Sequence, residues 1–204
     1  MKILVTGSNG LLGQYLVRDL ALAAHTVVAT GRGKCRLEIE KLPGVLYKDV
    51  DITDKQAVWQ LISGTTPDVI VHAAAMAQPD TCELDKEACR LTNVDATKFL
   101  CEAAASVHAR MIYISTDFVF NGKEGPYRED DIPDPVNYYG QSKLEAEEMV
   151  KNALKDWAIV RTVLVYGNIL VGTRSNVVTW VKDNLEKGNP IKVVSDQVRT
   201  PTYV

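Results

Sequence analysis

Tyr139 and Lys143 are the residues of this 204-residue chain whose types and spacing most directly suggest chemistry. Four positions apart, a phenol and an ammonium share one face of a helix. A nearby cation favours phenolate, which draws a group with a reference pKa of about 10 toward the working pH and makes it a usable proton donor to a carbonyl under reduction. The pair alone is a common pattern; its weight comes from following Ile114-Ser115-Thr116-Asp117, which reads as a strand end presenting hydroxyls. A second group of residues is built for binding. In Thr6-Gly7-Ser8-Asn9-Gly10-Leu11-Leu12-Gly13 the glycines fall at G-x-x-G-x-x-G, directly after an apolar strand-like run and at the opening of a helix. Gly7 allows a tight turn, Gly10 lets backbone approach a pyrophosphate, Gly13 lets helix and strand pack closely, and the helix start offers unpaired N–H groups to the anion. That context predicts a dinucleotide-binding turn over Gly7–Gly13.

An NAD-preferring turn would be followed by an acid at the end of the second strand, about twenty residues on, to hold the ribose 2'-hydroxyl. This chain carries Thr30-Gly31-Arg32-Gly33-Lys34-Cys35-Arg36 there, and Arg32 is suited to a bidentate contact with a 2'-phosphate. The expected cofactor is therefore NADP, with NADPH preferred over NADH; an ordinary solvated loop cation is the competing reading of Arg32. Asp51-Ile52 closes the third strand, where the carboxylate could accept from an adenine amino group. An N-cap or turn role for Asp51 or Asp54 stands beside that reading.

The elements that must position these residues alternate along the chain. Strands are predicted over Lys2–Thr6, Thr26–Thr30, Val45–Ile52, Pro67–Ala75, Arg110–Thr116 and Trp157–Tyr166, and helices over Leu11–Ala24, Lys55–Ser63, Asp85–Val107, Tyr138–Leu154 and Asn176–Lys187. The strands are nearly continuous apolar runs, so the sheet should be parallel and covered on both faces: an α/β, doubly wound Rossmann fold. Residues 1–170 form the expected dinucleotide-binding domain, and 171–204 the start of a substrate-binding portion. Asp117–Asn137, with clustered acids, glycines and prolines and no core periodicity, reads as a long lid or binding loop, with a surface excursion as the alternative. A net charge of -3 and the absence of a long basic block argue against nucleic acid or an anionic membrane as partner. No apolar run is long enough to span a bilayer and the start lacks a signal-peptide pattern, so a cytoplasmic setting is expected. Cys35, Cys82, Cys89 and Cys101 lack metal-site spacing and read as reduced thiols.

Taken with the TGxxGxxG turn, the Ser/Thr after the fifth strand and the YxxxK, the chain resembles the extended short-chain dehydrogenase/reductase family. Its text STDFVFNGKEGPYREDDIPDPVNYYGQSKLEAEE is similar to that of the dTDP-4-dehydrorhamnose reductase group, as are Val160-Arg161-Thr162, Val165-Tyr166-Gly167 and Asp196–Thr202. The resemblance implies that Thr116 hydrogen-bonds a substrate carbonyl, Tyr139 gives it the proton, and Lys143 holds the nicotinamide ribose. It implies support of Lys143 by Asn93 through water, against a plain helix-surface asparagine, and cofactor contacts from Ala73-Ala74-Ala75 and Val165 besides the glycine turn. The implied reaction is hydride transfer to C4 of a 4-keto-6-deoxy nucleotide sugar, with a homodimer possible. Gln14-Tyr15 stand where that group often carries an acid tied to a metal, so no metal site is expected, and Arg199 replaces a usual glycine. Relatives continue beyond this chain's Pro201-Thr202-Tyr203 into a smaller lobe, most of which is expected to be absent here. The regulatory β subunits of methionine adenosyltransferases are resembled almost as well, leaving open a non-catalytic NADP-holding subunit. An epimerase or dehydratase on the same scaffold is a further alternative; dehydratases would normally carry Asp-Glu after the threonine, where Asp117-Phe118 stand.

Overall fold

Burial explains the sheet. In a computed structural model that describes residues 1–172 and 176–204, the strand runs β1 (Lys2–Thr6), β2 (Thr26–Gly31), β3 (Val45–Asp49), β4 (Val69–His72), β5 (Arg110–Thr116) and β6 (Trp157–Thr162) all pair in parallel, in the order β3-β2-β1-β4-β5-β6. The order reverses between β1 and β4, both four-fifths or more buried residue by residue, which opens the crevice that such sheets use for ligands.

Helices cover both faces. On one, α1 (Leu11–Leu22) packs Val17 on Ile3, Val5, Val27, Ala29, Val69 and Val71. On the other, α2 (Lys55–Thr65), α5 (Ala96–Ser106) and α6 (Tyr138–Ala153) pack Val58, Ile62, Leu100, Ala146 and Val150 on Leu4, Ile70, Met111 and Tyr113. Strand residues of alternating parity thus feed two separate cores, which is why the runs carry no polar alternation.

Several boundaries differ from the sequence expectation. β3 stops at Asp49 because Asp51 Oδ1 accepts from the Thr53 N–H at 2.9 Å and from its hydroxyl at 2.8 Å, turning the chain. β4 stops at His72, since the Ala74 N–H turns to Thr6 Oγ1 at 3.2 Å. β6 ends at Thr162, beyond which Tyr166 and Tyr203 form an isolated parallel bridge. The expected helix over Asp85–Val107 is divided into α4 (Lys86–Arg90), a π-helical turn over Leu91–Asp95 and α5; a short α3 (Pro79–Leu84) precedes them. Asp85 caps α4 by accepting from the Ala88 N–H at 2.9 Å.

The long segment after β5 begins with a 3-10 turn over Asp117–Val119 and is held by its own contacts. Phe120 stacks on Tyr127 at 4.4 Å, Asn121 donates to Asp134 at 2.8 Å, and the Asp134 N–H donates to the Val119 carbonyl at 2.9 Å. Beyond β6, α7 (Val177–Glu186) is capped by Asn176 and Thr179 but buries none of its residues. No described helix is long and apolar enough to cross a membrane.

Candidate active site

The glycine turn is made by steric necessity at two positions. Gly7 has φ +70°, and a Cβ there would stand 2.7 Å from the Ala74 nitrogen and 2.9 Å from the Ala73 carbonyl carbon; a Cβ on Gly13 would run into the Gly7 carbonyl oxygen. Gly7 thereby brings Ala73 and Ala74, at the exit of β4, against the turn, with Ala75 next in chain. The helix that follows has no side-chain cap on its first turn, so the backbone N–H groups of Leu11, Leu12 and Gly13 lack a capping side chain, and a dinucleotide's pyrophosphate fits this uncapped, Cβ-free cradle. Gly10 contributes its own tight approach, its Cβ position lying 3.2 Å from the Gly7 oxygen. Ser8 faces inward instead: its N–H and hydroxyl both donate to the Thr30 carbonyl, at 3.1 and 3.0 Å.

Asn9 does more than its place in the glycine pattern suggests. Its Nδ2 reaches the carbonyls of Arg32 and Lys34 at 3.4 and 3.2 Å and Tyr47 Oη at 3.1 Å, while its Oδ1 accepts from the Arg36 N–H at 2.9 Å. Tyr47 in turn donates to the Gly31 and Gly33 carbonyls at 2.9 and 2.7 Å. The loop with Arg32, Lys34 and Arg36 is therefore folded around Asn9. Arg32 is exposed, and its guanidinium lies 3.8 Å from Asp51. Burial pushes the Asp51 carboxyl up, but the Thr53 N–H and hydroxyl and the Arg32 charge outweigh it and hold the group below its ordinary value. Asp51 makes a turn through its Oδ1, which leaves Oδ2 facing Arg32, and Asp54 takes the N-cap by accepting from the Ala57 N–H at 3.1 Å. The Ile52 side chain is buried in the core with Val58, Leu61 and Ile62, so a contact from Ile52 to a cofactor would come from its backbone. Val165 is half-buried in the stretch past β6 that Thr202 bonds through Val163 and Tyr166.

Tyr139 and Lys143 sit on the first turns of α6, where Asn137 caps the helix and Gly140 lies so close to the Phe118 carbonyl that no Cβ would fit. Both side chains are buried, Tyr139 at 8% and Lys143 at 2% exposure. Burial pushes the Tyr139 phenol up to about 12; the Thr116 hydroxyl opposes this, while Cys82, Asp117 and Cys89 add to it. Burial pulls Lys143 down to about 7, against Glu147 and Cys89. The expected lowering of Tyr139 by Lys143 is thus not realised. Lys143 Nζ is occupied elsewhere, donating to the Ile114 carbonyl at 2.7 Å and lying 4.0 Å from the centre of the Tyr113 ring. Thr116 caps the turn after β5, accepting from the Phe118 N–H at 3.3 Å and donating to Asp117 at 3.2 Å. Arg199 pairs with Asp117 at 2.8 Å and lies over Phe118, whose ring meets Tyr139 edge-on at 5.5 Å.

Asn93 is neither a surface residue nor a direct neighbour of the Lys143 ammonium by hydrogen bond. Buried in the π-helical turn, it accepts from the Met76 N–H at 2.8 Å and donates to the Met76 carbonyl at 3.1 Å and to Ser142 Oγ at 3.0 Å, tying the exit of β4 to α6. Behind it runs a polar chain that the sequence reading missed. Thr97 Oγ1 donates to the Asn93 carbonyl at 2.6 Å, so His72 Nε2, 3.1 Å away, donates to Thr97; His72 Nδ1 then accepts from Thr6 Oγ1 at 2.7 Å. His72 is wholly buried and pulled down to about 3 by burial and by Lys143, consistent with a neutral ring. A polar residue inside the apolar run Val69-Ile70-Val71-His72 was the available signal. Among the described residues no group of three or more His, Cys, Asp or Glu is placed to hold a metal.

The whole chain, residues 1–204, matches the family described as RmlD substrate binding domain. It is 36% identical over 204 residues to the methionine adenosyltransferase 2 subunit beta of Xenopus tropicalis, covering 100% of this chain and 58% of that protein. A crystal structure of a dTDP-4-dehydrorhamnose reductase from Clostridium acetobutylicum superposes with a TM-score of 0.82 at 35% identity, over 100% of this chain and 66% of the other. One of dTDP-4-dehydrorhamnose reductase from Bacillus anthracis in complex with NADP gives 0.80 at 30% identity, over 99% and 66%. The chain thus spans a little over half the length of the first of these relatives.

Proposed function

The chain belongs to the RmlD substrate binding domain family, and from that premise we propose that it is the cofactor-binding part of an NADP-dependent reductase of the extended short-chain type, acting on a 4-keto-6-deoxy nucleotide sugar. The observation that carries the reading is the meeting, at the carboxyl edge of one sheet, of a Cβ-free glycine cradle and a buried Tyr139–Lys143 pair.

When bound, NADPH supplies the hydride. The residues do the rest. Leu11, Leu12 and Gly13 present N–H groups to the pyrophosphate, and the Arg32–Arg36 loop, folded around Asn9, presents cations to a 2'-phosphate. Tyr139, protonated at neutral pH, holds the proton destined for the carbonyl oxygen, with Thr116 beside it. Lys143 leaves the Ile114 carbonyl to hold the nicotinamide ribose, and residues 171–204 begin the wall on the sugar side. Asn93 and Ser142 fix α6 against the exit of β4, so that cradle and proton donor keep their spacing. The deciding experiment is NADPH consumption by the full-length protein offered a panel of 4-keto sugar nucleotides; no oxidation with any of them removes the reductase reading.

A non-catalytic NADP-holding subunit is the second reading. Identity to the β subunit and the Lys143 ammonium's engagement with Ile114 rather than with Tyr139 favour it. It predicts tight NADPH binding with no turnover, and a stable complex with a methionine adenosyltransferase on gel filtration.

A further inference from the structure

Glu147 is a carboxylate with 0% exposure, one helical turn beyond Lys143 on the buried face of α6. Left alone, such a charge would not be tolerated. It is held by three hydrogen bonds: Ser115 Oγ donates to Oε1 at 2.5 Å, Arg161 Nε to Oε1 at 3.0 Å, and Arg161 Nη2 to Oε2 at 2.7 Å. Arg161 has a further commitment. Its Nη1 donates to the Glu129 carbonyl at 3.1 Å, and its guanidinium lies 5.0 Å from the centre of the Phe120 ring. One forked ion pair therefore joins α6, the end of β5 next to Thr116, β6, and the segment after Val119.

Buried ion pairs contribute little to stability over apolar residues of the same volume, so stability alone does not account for this one. Its contacts suggest a different use. We propose that Glu147 and Arg161 are positioning residues for the candidate proton-transfer site: Arg161 sets the register of the Asp117–Asn137 segment against α6, and Glu147 is the counter-ion of the Lys143 ammonium. The groups around Lys143 are Tyr139 and Glu147 on its own helix, Tyr113 on β5, His72 on β4 and Cys89 on α4. Of these, Glu147 is the one carboxylate, and its Oε1 meets the Ser115 hydroxyl directly next to Ile114, whose carbonyl holds the Lys143 Nζ. The roles proposed rest on the reading of Tyr139 and Lys143 as the reactive pair; the geometry of the ion pair does not.

Nuclear magnetic resonance of the 204-residue chain carrying 13Cε-labelled lysine, with Lys143 assigned through Lys143→Arg, reads the charge of Lys143 without cofactor or substrate. In Glu147→Gln the Lys143 midpoint should fall by about one pH unit. Arg161→Lys keeps a cation but loses the fork, so it should leave that midpoint near its starting value while amide exchange at Phe120 and Asp134 accelerates about tenfold and exchange in β1 does not. An unmoved midpoint in Glu147→Gln, or unchanged loop protection in Arg161→Lys, overturns the proposal. Should Glu147→Gln fail to fold, Glu147→Asp withdraws the charge by one methylene and should give a smaller shift of the same sign; no shift there counts equally against it. NADPH titration of the wild-type chain, run in parallel, separates the two readings, because absent binding removes the cofactor reading and leaves the Lys143 result standing.

Discussion

Burial moves Lys143 and Tyr139 in opposite directions, the ammonium to about 7 and the phenol to about 12. At neutral pH the phenol keeps its proton, whereas the buried ammonium gives up its own more readily than an exposed lysine would, so the proposed reaction would draw its proton from Tyr139 and its charge from Lys143. Two expectations follow for substitutions. Tyr139→Phe should leave NADPH affinity unchanged and, in the complete protein, reduce turnover by roughly two to four decades, the usual worth of a positioned general acid. Lys143→Ala should weaken NADPH binding as well. The pH dependence has a definite sign: only the protonated lysine contributes charge, so NADPH affinity should weaken as pH rises through about 7, and Lys143→Ala should flatten that limb. Fluorescence titrations of NADPH between neutral and alkaline pH, with the variant beside the wild type, check both. Turnover by Tyr139→Phe at the wild-type rate would reduce the phenol to a packing residue.

Elements, more than residues, decide what was legible in the sequence. The parallel order, two-sided cover and glycine turn could be read because continuous apolar strands and a G-x-x-G-x-x-G spacing each have one physical solution here. The Leu91–Asp95 π-helical turn could not, because it arises from Asn93 bonding Met76 across a gap of 17 residues, and helical periodicity records only neighbours on one element. The second-strand loop shows the same limit: Arg32 was visible as a charge, but the tether that shapes the loop runs back to Asn9, a residue whose pattern position concerns the glycines. From that tether comes a prediction. If the loop reads the 2'-phosphate as proposed, Asn9→Ala should lower the ratio of NADPH to NADH affinity by about tenfold, equivalent to ~1.4 kcal/mol, while NADH affinity stays within about twofold of the wild type. Arg32→Ala should lower the same ratio. Paired titrations of both cofactors measure it, and an unchanged ratio in both variants would remove this loop as the phosphate reader.

Across the whole molecule, the two halves of the sheet are joined by the buried chain Thr6–His72–Thr97–Asn93, and its central imidazole makes the fold sensitive to acid. His72 Nδ1 accepts from Thr6 and Nε2 donates to Thr97, an arrangement that only the neutral ring satisfies. Burial and the Lys143 charge pull its pKa from 6.5 to about 3. Between those values the unfolded chain binds a proton that the folded chain refuses, so stability rises with pH there and is lost as pH falls from about 6.5 toward 3. Integrating that linkage from pH 7 to pH 5 gives a loss of roughly 2 kcal/mol from this one group. Urea unfolding at the two pH values should show it. His72→Gln removes the titration while keeping a side chain able to donate and accept, so although less stable at pH 7 it should lose roughly 2 kcal/mol less than the wild type on acidification. An equal acid loss in both proteins would mean that His72 is not the group that titrates between pH 7 and pH 5.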